Sequence, residues 1–198
     1  EVKRAALSAF GMNWVSVLWR SRQFIPLFDI LKTPYSNRLD QVVTFGSLQV
    51  MWDPVDSVNF MRNLVDEPIE DRPTTNALVD IALGDQSVPP ILAENLARTD
   101  IGIGLMENYD DTRVIELTNA QSYPHMGSGI TVWHTGAEWS QVGNQPPTGD
   151  YEDTHGHSRQ LLSLHRQLAH FFETGEIIDV CEGGTCPTQT ELDEWTEN

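Results

Sequence analysis

The sequence predicts an α/β fold in which a parallel sheet is crossed by helices. Runs with apolar residues at every second position recur at 3–10, 77–83 and 128–136, the period of a half-buried strand. Between and after these runs the apolar spacing changes to three and four, the period of helices packed on a core. Strands that alternate with helices are joined by crossovers, and crossovers build parallel sheets.

The first strand, 3–10, reads as a buried one with Val2, Ala5, Leu7 and Ala9 in register, and Gly11 ends it. The chain opens on it with no initiator Met, signal peptide or targeting sequence, as a strand already under way, so a preceding segment is expected. Helical patterns then fill residues 13–65. In "NWVSVLWRSRQFIPLFDILK", Trp14, Val17, Leu18, Phe24, Leu27, Phe28 and Leu31 lie at helical spacing, with a break near Pro26. "SNRLDQVVTFGSLQVMWD" offers Asn37 as an N-cap and sets Leu39, Val42, Val43, Phe45, Leu48 and Met51 on about one face. "DPVDSVNFMRNLV" is a third, short helix, with Asp53 before Pro54 as a cap-like start. No strand signal interrupts this stretch, which reads as a helical insertion between two strands.

The polar connector "EPIEDRPTTN" leads into the second strand, where Val79, Ile81 and Leu83 alternate before the Gly84–Asp85 pair. Pro89 and Pro90 then sit in the first turn of a helix carrying Ile91, Leu92, Ala93, Leu96 and Ala97. Residues 100–127 read as irregular, with a short strand at "RVIEL". A third strand, "SGITVWHTG", alternates Ile130 and Val132 with Thr131 and Trp133. The polar loop "AEWSQVGNQPPTGDYEDTHGHS" is long enough to be functional or disordered. The last helix, 159–172, is expected to turn Leu161, Leu162, Leu164, Leu168, Phe171 and Phe172 inward.

Bulk properties narrow the function classes. At 198 residues, 39% hydrophobic and 9% aromatic, the chain has the composition of one globular core. No apolar run approaches the roughly 18 residues of a membrane span. A net charge of −17 argues against nucleic acid and anionic membranes as partners. Only two of the twelve basic residues are Lys, Lys3 and Lys32, and so acidic and Lys-poor a surface stays hydrated in saline water. The two cysteines in "CEGGTC", Cys181 and Cys186, favour a disulfide and hence an exported, secreted or periplasmic protein. Two free thiols in a flexible tail are the alternative.

Chemistry concentrates at two places. Ligands of parallel sheets gather beyond the carboxyl ends of the strands, and Asp85 sits at one such end. His155 follows the next strand and precedes the last helix. A carboxylate that accepts the Nδ1 proton of a His fixes the tautomer and stabilises the imidazolium, leaving Nε2 to take a proton from a nucleophile. His157, two positions on, competes for the role. Asp150, Glu152, Asp153, His155 and His157 together offer a second chemistry, a divalent metal held by H-x-H and a third ligand. Trp14, Trp19, Phe24, Phe28 and Trp52 could line an apolar pocket, although core packing accounts for most of them.

With these elements placed, the chain resembles the C-terminal half of an α/β-hydrolase, specifically bacterial secreted esterase- or lipase-like members. The segments that carry the likeness are "EVKRAALSAFGMNWVSVLWRS", "LQVMWDPVDSVNFMRNLV", "VDIALGDQSVP", "DTHGHSRQL" and "HFFETGEIIDVCEGGTC", and together they span nearly the whole chain. The resemblance implies a serine carboxylic-ester hydrolase with chain order Ser, Asp, His, in which Asp85 is the acid and His155 the base. It makes residues 1–12 and 70–180 the core, 13–69 a helical cap over the active site, and 181–198 a disulfide-bearing acidic tail. No G-x-S-x-G is present; "GSGIT" and "FGSLQ" come nearest and neither lies on a strand-to-helix turn. The resemblance therefore puts the nucleophile and the oxyanion amides upstream of Glu1, in an N-terminal remainder without which the chain is inactive. Its substrate is a small-molecule or lipid ester, and it needs no metal or organic cofactor. A metal-dependent hydrolase or metal-binding module on the 150–157 loop, and a non-catalytic binding domain on the same scaffold, are the competing expectations.

Overall fold

The structure is a computed structural model that describes residues 2–109, 120–137 and 152–196. It is an α/β arrangement around a five-stranded sheet. Strand β1 (Arg4–Ser8) leads into four helices, α1 (Trp14–Arg20), α2 (Ile25–Lys32), α3 (Arg38–Trp52) and α4 (Met61–Val65). Strand β2 (Asn76–Ala82) and helix α5 (Ile91–Ala97) follow, then β3 (Gly104–Met106), β4 (Ala120–Gln121), β5 (His125–Met126) and β6 (Gly129–Trp133). Helix α6 (Leu162–Thr174), β7 (Glu176–Ile177) and α7 (Gln189–Thr196) complete the described chain. The main sheet runs β1-β2-β6-β3-β4 with every pair parallel, and β5 and β7 form a small antiparallel pair.

β2 is an interior strand buried on both faces, as a strand covered on both sides is, and apart from Asn76 and Asp80 its side chains are apolar. Val79, Ile81 and Leu83 pack with Ile130 and Val132 of β6 against Ala93, Leu96 and Ala97 of α5 and Met61 of α4. On the opposite face Leu78 meets Met106, Phe171 of α6 and Ile177. Register pairs Leu78 with Gly129 and Ala82 with Trp133, and the pairing continues past the end of β2 through the Leu83 amide on the Trp133 carbonyl, 2.8 Å. Arg4 of β1 donates to the last carbonyls of α6, Phe172 at 2.6 Å and Glu173 at 3.1 Å, a cation where the helix dipole is negative.

The helical insertion is organised by polar hubs. Asn13 caps α1 by accepting from the Ser16 amide at 3.0 Å, and Asn37 caps α3 by accepting from Leu39 at 2.8 Å. Asp56 is fully buried and accepts from the Trp14 amide, the Gln49 side chain and the Val58 amide. Phe28 and Phe45 stack and Trp19 meets both edge to face, with ring centroids 4.7 to 4.8 Å apart. These are packing contacts, and they absorb two of the aromatics that the sequence offers to a pocket.

Several expectations need correction. Residues 100–127 are not uniformly irregular: they hold the short strands β3, β4 and β5, each of three residues or fewer, too brief for a period to register. "RVIEL" lies outside the described residues. The inward face of α3 is formed by Gln41 and Phe45, while Leu39, Val42, Val43 and Met51 are exposed. β1 is not buried: Arg4 to Leu7 are half-buried and Ser8 is exposed, because it is an edge strand. α6 begins at Leu162 after a turn of 3-10 helix at Ser158–Gln160, and it leaves Leu162 and Phe172 exposed.

The C-terminal segment is not a loose tail. Cys181 and Cys186 form a disulfide, and both are buried with Trp133, Leu161 and Leu164. The Cys186 carbonyl accepts from the His134 amide, so the bridge is fastened to the end of β6. Among the described residues no helix is long and apolar enough to cross a membrane.

Candidate functional site

The site forms where β2 and β6 end. After Ala82 the chain turns at Gly84, whose φ of +79° lies in the left-handed region that a side chain disfavours. The turn delivers Asp85 beneath the surface, only 1% exposed. Its Oδ1 accepts from the Ser87 amide at 2.8 Å and the Val88 amide at 2.7 Å, an Asx-type arrangement at the mouth of the Pro89–Pro90 turn. Gly11, in the link between β1 and α1, lies against this turn. A Cβ there would stand 2.5 Å from Val88 Cγ1 and 3.2 Å from Leu92 Cδ1, so the approach requires glycine.

The second half of the site arrives from the loop after β6. Thr154 is buried and its Oγ1 donates to the Leu83 carbonyl at 2.6 Å, pinning the loop onto the end of β2. His155 then turns its Nδ1 to Asp85 Oδ2, 3.0 Å away. The sequence placed these two side chains 70 positions apart, each following one of two neighbouring parallel strands, and the structure brings them into hydrogen-bond contact. The imidazole is 36% exposed, so the buried carboxylate communicates with the surface through the ring. Around Nε2 lies Arg159, whose Nη2 is 3.5 Å from that nitrogen and 3.4 Å from the His155 carbonyl.

The electrostatics follow from these contacts. The hydrogen bond to Asp85 raises the His155 pKa above its ordinary 6.5, against burial and the Arg159 charge, with further help from the charges of Asp85 and Asp153. Asp153 is held in the opposite sense. Burial pushes its carboxyl upward, but hydrogen bonds from the Ser87 hydroxyl and from the Gln86 and His155 amides outweigh it and leave the group below the usual range. Asp80, inside β2 and fully buried, is raised by burial despite hydroxyl donors from Ser8 and Ser158 and the charge of Arg159. Through Ser158 it fastens the turn that follows His155.

The other candidates are directed elsewhere. His157 is 3.3 Å from Glu152 and 3.4 Å from the Thr135 hydroxyl, with its ring against Trp195. Asp150 lies outside the described residues. Among the described residues no three His, Cys, Asp or Glu side chains are grouped to hold a metal ion: the Asp153 carboxylate is taken by backbone and hydroxyl donors, and the two imidazoles face different carboxylates. His134 accepts from the Gly136 amide, His165 contacts the Arg159 carbonyl, and His170 pairs with Glu176 at 2.9 Å.

Sequence reasoning missed what fastens the loop, namely Thr154, the Ser158–Asp80 bond and the clamp formed by Asp153. One signal for the last was present. An Asp two residues before a His can accept that residue's own amide, and Asp153 Oδ1 does so at 3.2 Å. Compared with protein-family models, with curated proteins and with solved structures, the chain finds no significant match.

Proposed function

We propose that this chain supplies the acid and the histidine of a Ser-Asp-His carboxylic ester hydrolase whose serine lies on a preceding segment. The observation that carries the reading is the contact between buried Asp85 and half-exposed His155, 3.0 Å apart beyond the ends of adjacent parallel strands. In this reading Nδ1 holds its proton toward Asp85, so Nε2 is the basic atom. The nucleophile's hydroxyl takes the place beside Nε2 and loses its proton there as it attacks the ester carbonyl. The imidazolium, stabilised by Asp85, returns that proton to the leaving alkoxide. Water then repeats the sequence on the acyl-enzyme, and no metal or organic cofactor takes part. The helical insertion, in contact with the acid-bearing turn, is the element that limits which small-molecule or lipid esters reach the site. The disulfide is the one support for an exported protein.

The chain extended through its natural upstream reading frame, assayed on a short-chain nitrophenyl ester, tests the proposal. His155→Ala should lower kcat by roughly six orders of magnitude and Asp85→Asn by roughly four, with a serine-directed phosphonate abolishing activity in the parent. An unchanged rate in the His155→Ala variant refutes the assignment. A second reading, a purely structural His–Asp pair in a binding domain, is favoured by one contact: Arg159 stands beside Nε2, where a nucleophile would sit. An upstream frame with no serine between glycines within about thirty residues of Glu1 would decide for that reading.

A further inference from the structure

The turn that holds Asp85 is also the meeting point of three segments. From the helical insertion, the Arg22 amide donates to the Gln86 carbonyl at 2.9 Å, the Arg22 guanidinium donates to Gln86 Oε1, and Gln23 Nε2 donates to the Ser87 hydroxyl at 2.5 Å. From the loop after β6, Asp153 accepts at both oxygens. Its Oδ2 receives the Ser87 hydroxyl at 2.6 Å, and its Oδ1 receives the Gln86 amide at 2.9 Å together with the His155 amide at 3.2 Å. The acid-bearing turn and the histidine-bearing loop are thus joined by one carboxylate, and the insertion grips the same two residues, Gln86 and Ser87, from its other side.

We propose that Asp153 is a positioning residue for the Asp85–His155 pair, and that through Ser87 it ties the place of the imidazole to the seating of the helical insertion. This rests on the reading of His155 as the base. Asp153 touches no reacting atom. It fixes the His155 backbone amide relative to the turn whose amides hold Asp85, and a base displaced by even 1 Å loses much of its rate. Hydrogen bonds to charged acceptors are the strong kind, and three of them converge here on a side chain that is itself largely exposed. An exposed Asp in a loop that serves only solubility would not spend both oxygens on the backbone and hydroxyl of a second loop. The joint also gives the insertion a mechanical route to the site. A substrate that shifts residues 22–23 moves Ser87, and Asp153 passes that movement to His155.

The test is the titration of the His155 ring, followed by nuclear magnetic resonance in the chain itself, so it does not depend on catalysis. The charged groups that face the ring are Asp85, Asp153 and Arg159. Asp153→Asn removes a negative charge but keeps an acceptor for the two amides. Asp153→Ala removes both. If Asp153 positions the ring, the alanine variant titrates as low as Asp85→Asn, within about 0.3 pH unit, while the asparagine variant keeps more than half of the upward displacement. Equal midpoints for the two Asp153 variants overturn the proposal, since charge alone then explains the effect. Ser87→Ala keeps the charge and removes one bond of the joint; a lowered midpoint supports the proposal and an unchanged one overturns it, whether or not Asp153→Ala folds. In the extended enzyme the same clamp predicts that Asp153→Asn retains at least ten times the kcat of Asp153→Ala at equal KM. Failure of the hydrolase reading would appear separately, as an inactive extended chain whose His155 midpoints still separate in this way.

Discussion

Asp85→Ala should be among the most destabilising changes in this molecule, and the structure sets its size. The carboxylate is 1% exposed and serves three donors: the Ser87 amide at 2.8 Å, the Val88 amide at 2.7 Å and His155 Nδ1 at 3.0 Å. Truncation leaves those donors facing a vacated site. An abandoned buried donor costs about 1–3 kcal/mol, and the imidazole can turn to water, so the two amides dominate and the loss is about 3 kcal/mol. In a chain of 198 residues each kcal/mol moves Tm by about 2–4 °C, which places the drop at about 6–12 °C. Asp85→Asn is the control. It keeps an oxygen for the amides and turns its NH2 toward Nδ1, so it should cost about 1 kcal/mol while forcing the imidazole into the other tautomer. Urea unfolding at neutral pH, followed by tryptophan fluorescence, separates the two. An alanine variant within 1 kcal/mol of the parent, or one no worse than the asparagine variant, would refute the account of Asp85 as the keystone of its turn.

Other outcomes follow from the same geometry. Because His155 titrates above its ordinary value when folded, its bond to Asp85 contributes stability that is complete below about pH 6.5 and is lost as pH rises through the raised folded value; the stability–pH slope above that point should flatten in Asp85→Asn. Gly11→Ala should destabilise by about 1–3 kcal/mol, because its methyl group would overlap Val88, whereas Gly46→Ala, with nothing within 4 Å in the middle of α3, should stabilise by about 0.5–1 kcal/mol in thermal melts. Replacing Cys181 and Cys186 together by Ser should lower unfolding free energy by about 2 kcal/mol for a loop closed over five positions. Because both sulfurs are buried, a thiol reductant should leave the folded protein's disulfide intact until denaturant is added, as mass spectrometry after alkylation would show.

What the sequence made legible was whatever is local. The alternation of Val79, Ile81 and Leu83 gave β2, the Gly84–Asp85 step gave its end, and the order of strands gave the neighbour that brings His155 back to Asp85. What escaped was set by tertiary packing. α3 shows why: Leu39, Val42 and Val43 make the stronger apolar stripe, but periodicity reports only that a stripe exists, and the core took Phe45 and Gln41. In α6, Leu162 and Phe172 flank the buried arc set by Leu164 and Phe171 and fall outside it. β3 and β4 escaped because strands of three and two residues owe their existence to the partner beside them. At the site, the pair was visible through residue type and order. The bonds that brace it, from Asp153, Thr154 and Ser158, join segments far apart in sequence.

The register between β2 and β6 has an evolutionary consequence. Since Leu78 faces Gly129 and Ala82 faces Trp133, the strand that ends before Asp85 and the strand whose following loop carries His155 lie side by side, about 4.8 Å apart. Whatever the chain does between leaving β2 and entering β6 is a detour that returns to a fixed address. The part of that excursion between α5 and β6 can lengthen, shrink or be exchanged without removing either member of the proton-sharing pair, provided the two strands keep their alignment. A one-residue slip of β6 would be another matter for the core, turning Trp133 out of its pocket, whereas the imidazole is moored to β2 itself through Thr154 and Ser158.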